Sequence, residues 1–160
     1  MNAIPVPTLY EWVGGIERLE SLFQAFYEHV TADPILGPVF AKMPAEHFHM
    51  VANFVAEVLG GPALYSGDGK HSHSTMVGKH LGRHLSDEQR KQWVRLLLDT
   101  ADELKLPDDP EFRSALVGYL EWGSRLAVVN SATTENPIDN ETPMPKWGWG
   151  EVKGPYTPPE

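Results

Sequence analysis

Apolar residues recur along most of the chain at steps of three and four, the period of helices with one buried face. After Gly14-Gly15 the series Ile16, Leu19, Phe23, Phe26, Tyr27 and Val30 predicts a helix that stops near Asp33-Pro34. Pro44 is placed to open the next, in which His47, Val51, Phe54, Val55 and Val58 share a face until Gly60-Gly61-Pro62 ends it. A short element from about Thr75 to His84 carries Met76, Val77 and Leu81 around His80. Ser86 with Gln89 three residues on forms a capping box, and Trp93, Leu97, Ala101 and Leu104 then line one face of a long helix. Pro110 starts the last helix, with Phe112, Leu116, Tyr119, Leu120, Gly123 and Ala127 in register to about Asn130. No strand alternation competes, so the expected class is all-α.

The period fails beyond residue 132. Residues 133–160 hold six of the 14 prolines and the run KWGWG, which predicts an extension that is extended or disordered unless it docks. Such a segment can cover a hydrophobic surface, join a dimer contact or hang free, and the sequence does not choose. We therefore take 1–132 as one domain and 133–160 as an extension rather than a domain of its own.

Composition narrows the chemistry. The chain has 160 residues and no cysteine, which excludes disulfides, thiolate metal sites, cysteine nucleophiles and covalent haem attachment through Cys-x-x-Cys-His. With 22 acidic against 13 basic residues the net charge is -9, which repels phosphate backbones and anionic lipid. Neither nucleic acid nor a membrane is an expected partner. No apolar run approaches the roughly 20 residues that span a bilayer, and MNAIPVPTLYEW lacks the order of a signal peptide, so a cytoplasmic protein is expected.

Four of the seven histidines lie in GKHSHSTMVGKHLGRH, residues 69–84. His71 and His73 stand in a polar loop without further ligands nearby. His80 and His84 have the four-residue spacing of zinc helices, but Leu81, Gly82 and Arg83 stand between them where a glutamate would be needed. His80 also fits a different role, a lone neutral imidazole on an apolar face, with Lys79 and Arg83 able to reach the propionates of a porphyrin. A core histidine with satisfied nitrogens fits the same pattern. Tyr27, Trp93 and His47 each place a polar tip on a face otherwise made for burial, which together suggest a polar pocket.

The chain resembles the truncated haemoglobins, group II, from about Leu9 to Asn130. The resemblance is carried by Gly14-Gly15, FYEHVTADPIL (26–36), Val39-Phe40, EVLGGPALYS (57–66), KHLGRHL around His80, and QWVRLLL with Trp93. It implies a two-over-two helical sandwich around haem b, with His80 as the proximal iron ligand and Tyr27 as the distal tyrosine. Phe40 would stack on the haem, Trp93 marks the group, and His47 and Val51 would face the iron. The loop from Gly60 to Ser74 would let Tyr65 touch a propionate. Phe54, Met76, Lys79, Leu81 and Arg83 complete the expected cofactor shell.

The implied function is oxygen binding at a pentacoordinate or weakly hexacoordinate iron, with nitric oxide detoxification or peroxidase-like chemistry. Oxygen, nitric oxide, carbon monoxide and peroxide are the implied ligands. An external reductase would restore the ferrous iron, and the chain would act as a monomer or homodimer. Donors beside the bound ligand matter because a hydrogen bond to a charged group contributes about 1.5–3 kcal/mol. A ligand sensor or carrier without turnover and a haem-free interaction domain are the alternatives. Many members carry a small residue where His47 stands, so this histidine could gate ligands, donate a further hydrogen bond or coordinate the iron.

Overall fold

The computed structural model describes residues 5–156. The first four residues, with part of the leader reading, and the last four of the extension lie outside the described residues. The described chain forms six α-helices and no strand: α1 (Leu9–Val13), α2 (Gly15–Ala32), α3 (His47–Val58), α4 (His73–Gly78), α5 (Asp87–Glu103) and α6 (Pro110–Ser131). Single 3-10 turns stand at Ser66–Asp68 and Gly150–Val152.

Gly14-Gly15 is needed because the chain passes from α1 to α2 through two consecutive left-handed residues, φ 107° and 77°. The predicted face of α2 is the buried one, with Leu19, Phe23, Phe26, Tyr27 and Val30 all enclosed and Ile16 partly so. The helix gives way at Asp33, whose carboxylate accepts the Ile35 and Leu36 N–H groups, both at 2.9 Å. Serine and glutamine at 86 and 89 form the capping box that starts α5, and Asp109 caps α6 ahead of Pro110.

Helix α2 packs on α3 and on α5, and α5 packs on α6, while α1 covers the start of α2. Two helix pairs are thus joined through α2 and α5, which is the expected helical sandwich. Buried Arg90 fastens α5 to α6 through Glu121 at 3.2 Å and Ser124 at 3.4 Å.

Two element boundaries depart from the sequence reading. Pro44 opens a turn whose carbonyl accepts the His47 N–H at 3.0 Å, and α3 starts only at His47. The short helix spans His73–Gly78 rather than reaching His84. Glycine at 78 and 82 lowers helix propensity there, and Gly82 and His84 take left-handed φ of 72° and 51°, which no helix accommodates.

The extension docks. Trp147 N–H donates to Val58 O at 2.8 Å and Lys146 Nζ to Glu57 O at 3.2 Å, so two carbonyls at the end of α3 find partners. The Trp147 ring lies against Tyr119 and Trp122 of α6, and the Trp149 ring meets Trp12 edge-on while its indole N–H donates to Pro7 O at 2.7 Å.

Candidate functional site

The segment that carries His80 is built from short-range bonds. Ser72 Oγ accepts the Thr75 N–H at 3.2 Å and Thr75 Oγ1 accepts the Ser72 N–H at 2.9 Å, a cap that starts α4. His80 lies two residues past the end of α4 in a turn, and not on the helical face that spacing suggested. Its Nδ1 stands 2.9 Å from the Met76 carbonyl oxygen. Because a carbonyl only accepts, Nδ1 carries the proton and Nε2 keeps its lone pair. Burial lowers the imidazole pKa, the Met76 carbonyl opposes that, and the charges of Arg83 and Lys79 lower it further. The ring is held neutral, as a metal ligand requires.

The other loop histidines separate from it. His84 is exposed and left-handed, so the zinc-helix geometry is absent, and His71 Nδ1 pairs with Asp68 at 2.6 Å. Among the described residues no group of three His, Cys, Asp or Glu side chains could hold a metal ion by themselves.

Across from this segment, Tyr27 of α2, Phe40 and His47 of α3 converge. The Tyr27 ring centroid lies 5.1 Å from the His47 ring and 5.6 Å from Phe40, each edge to face. Trp93 of α5 reaches the same core through Phe26, at 5.5 Å. Burial pushes the Tyr27 hydroxyl pKa up, and the nearby Trp93 indole N–H opposes part of the rise. An indole N–H only donates, so the proton of Tyr27 remains available to a third group. His47 is half-buried, and its pKa is lowered first by burial and then by Lys79, Arg83 and His80. That set of neighbours places the 79–83 turn opposite the first turn of α3, where Lys79 Nζ also touches Met50 Sδ.

The remaining expected cofactor residues divide. Phe54 is buried, while Val51, Met76 and Leu81 are half-buried, and Lys79 and Arg83 are exposed. Tyr65 is enclosed at 3%, and its hydroxyl is bonded to Thr75 Oγ1 at 3.0 Å. It pins the loop to α4, with its ring edge-on to Phe54 at 5.0 Å.

Glu57 escaped the sequence reading as a site-building residue. Buried at 3%, its carboxylate accepts Tyr65 N–H at 3.2 Å and Ser66 N–H at 2.9 Å, as well as the Ser66 hydroxyl. A glutamate among Val55, Ala56, Val58 and Leu59 is the one signal that could have found it. Two open grooves lie away from the histidines 47 and 80, one of about 490 Å³ between α6 and residues 147–152, the other of about 370 Å³ between loop 66–73 and residues 140–144. Neither holds the convergent donors found around Tyr27.

An iron porphyrin needs one neutral imidazole, aromatic and aliphatic walls, and cations for its carboxylates. His80 with a free Nε2, the apolar side chains of Phe40, Phe54, Val51 and Met76, and exposed Lys79 and Arg83 are of the types those needs call for.

Comparison with known proteins agrees. The profile of the bacterial-like globins matches residues 8–121. The chain is 32% identical over 127 residues to the group 2 truncated hemoglobin YjbI of Bacillus subtilis, covering 79% of this chain and 92% of that protein. Among solved structures, the group II truncated hemoglobin from Bacillus anthracis superposes with a TM-score of 0.69 at 25% identity, covering 81% of this chain and 95% of that one. The truncated oxygen-avid haemoglobin from Bacillus subtilis gives 0.66 at 32% identity, covering 76% and 99%. A helical sandwich, a neutral histidine after a six-residue helix and an aromatic donor pocket opposite it therefore come with sequence kinship, and the chain belongs to the bacterial-like globin family, among the group II truncated haemoglobins.

Proposed function

We propose that this chain holds haem b through His80 and retains oxygen under Tyr27, Trp93 and His47, with conversion of nitric oxide or peroxide as its reaction. Family membership supports haem b and oxygen binding. The observation that carries the assignment to His80 is its Nδ1 bond to Met76 O, which fixes the ring and frees Nε2. When bound, haem supplies an iron that takes a diatomic ligand in the ferrous state and meets peroxide in the ferric state.

The chain's own groups then set the outcome. Tyr27 offers its O–H and Trp93 its indole N–H, and donors held in a buried site strengthen on a ligand that gains negative charge. His47 can hold or deliver a proton at its imidazole, the step peroxide chemistry needs. Lys79 and Arg83 would pair with the carboxylates of a bound haem. A reductase would be needed to return a bound iron to the ferrous state, and the setting we propose is cytoplasmic.

An absorption spectrum of the purified protein and acid-acetone extraction test the cofactor. His80→Ala should lose haem, or keep it only with added imidazole, while changes at His71, His73 or His84 should not. Full retention in the His80 variant with loss in the others would move the ligand elsewhere. Rapid mixing of the oxygen-equilibrated ferrous protein with nitric oxide tests turnover: no conversion to nitrate, together with no peroxidase activity, leaves a carrier or sensor.

A further inference from the structure

The helix ahead of His80 is six residues long, too short to hold its shape alone. The turn after it contains a left-handed histidine at 84, a conformation that costs free energy unless its surroundings enforce it. The extension supplies the enforcement ahead of His80 and shares it with Ser131 at the end of α6 after His80. On one side the Asn136 amide donates to Ser74 O at 3.0 Å and stands 3.1 Å from Ser74 Oγ, while that hydroxyl donates to Ile138 O at 3.3 Å. Ser74 is buried at 8%. On the other side Gly82 N–H donates to Thr133 O at 2.8 Å, His84 N–H to Ser131 O at 3.0 Å, and Leu85 N–H to Ser131 Oγ at 2.9 Å.

Asn136 is itself oriented, because its Oδ1 accepts Ile138 N–H at 3.1 Å. This fixes which end of the amide faces α4. A chain of bonds then runs from Asn136 to Ser74, along α4 to the Met76 carbonyl, and from there to His80 Nδ1. Residue 136 lies beyond the 8–121 span matched by the family profile, so this support comes from the chain's own extension.

We propose that Asn136 is a positioning residue for His80: by anchoring α4 it sets the height and orientation of the imidazole toward the haem iron. The proposal rests on the haem reading above. The test uses full-length, haem-loaded protein carrying Asn136→Asp, which keeps the acceptor for Ile138 but loses both donors, or Asn136→Ala. Trp149→Phe, which frees the far end of the extension at Pro7, is the comparison.

The iron–histidine stretching band of the ferrous protein, read by resonance Raman, reports the imidazole directly, and haem transfer to excess apomyoglobin reports its hold. Both Asn136 variants should shift or split the band and speed haem loss at least about fivefold, the change that losing one ordinary hydrogen bond brings. Trp149→Phe should match the parent in both. A parent-like band and haem-loss rate in the Asn136 variants overturn the proposal, as does an equal shift in Trp149→Phe. Should circular dichroism show the Asn136 variants unfolded, Ser74→Ala is read in their place, and an unmoved band there overturns it. A parent protein without haem would fail the haem reading itself, an outcome distinct from haem-loaded variants that behave like the parent.

Discussion

At the scale of single residues, the candidate pocket turns on which protons are free. Tyr27 is buried and Trp93 only half-buried, and a donor strengthens where water is excluded, so the loss of Tyr27 should cost more than that of Trp93. Tyr27→Phe should accelerate oxygen dissociation by about tenfold or more, since a bond to a charged ligand exceeds the roughly 1.4 kcal/mol that tenfold requires. Trp93→Phe should act in the same direction. Stopped-flow measurement of both variants decides, and unchanged rates in the pair would mean the donors are not aimed at the ligand. For His47, burial and the cations at 79 and 83 favour the neutral ring. The protonated ring would prefer water and leave the pocket open. Carbon monoxide association after flash photolysis should therefore speed up as pH falls, with a midpoint below 6.5 rather than at it, and His47→Ala should flatten the profile. Matching profiles in the two proteins would return His47 to a packing role.

Elements were legible wherever local chemistry decides them. The boundaries of α2, α5 and α6 follow from Gly14-Gly15, the Ser86–Gln89 box and Asp109-Pro110, signals that act within one turn. Helix α4 is shorter than its period suggests because Gly78 and Gly82 weaken it locally and the turn after it is bonded to Ser131 and Thr133, about fifty positions away, which no local period reports. Tyr27, Trp93 and His47 stand out in the sequence because a polar tip on an apolar face is unusual, whereas the bond between Tyr65 and Thr75 does not, since it depends on how the loop folds back. Glu57 belongs with these. Glu57→Ala would strand the Tyr65 and Ser66 N–H groups, and at about 1–3 kcal/mol for each unsatisfied donor the protein should lose about 2–6 kcal/mol of stability. A shift in the urea midpoint checks it; a change under about 0.5 kcal/mol, the size of a neutral surface substitution, would show that water serves those groups equally well.

Over the whole molecule, three histidines, 47, 73 and 80, have pKa values lowered chiefly by burial. The unfolded chain binds protons near pH 6.5 that the folded chain refuses. Stability of the haem-free protein should thus be complete above about 6.5 and fall as pH drops toward the folded values, levelling off beneath them. Urea unfolding across that range is the measurement, and a midpoint that does not decline would mean these rings protonate freely in the fold. The same scale shows what the extension does for architecture: it caps α3, covers the Tyr119–Trp122 face of α6 and reaches α1, tying three elements that do not otherwise adjoin in sequence.

The bond from Trp149 to Pro7 spans 142 positions. A chain made from its N-terminus outward can assemble α1 to α5 while synthesis continues, yet Pro7 and the carbonyl of Val58 must wait for residues 147–149 to emerge. Closing so long a loop is slow compared with forming neighbouring helices. The extension is thus a timer as well as a clasp: the nascent protein passes through a stage with helices α1 to α5 formed and Pro7 unclasped, which lasts until residue 149 is free to dock.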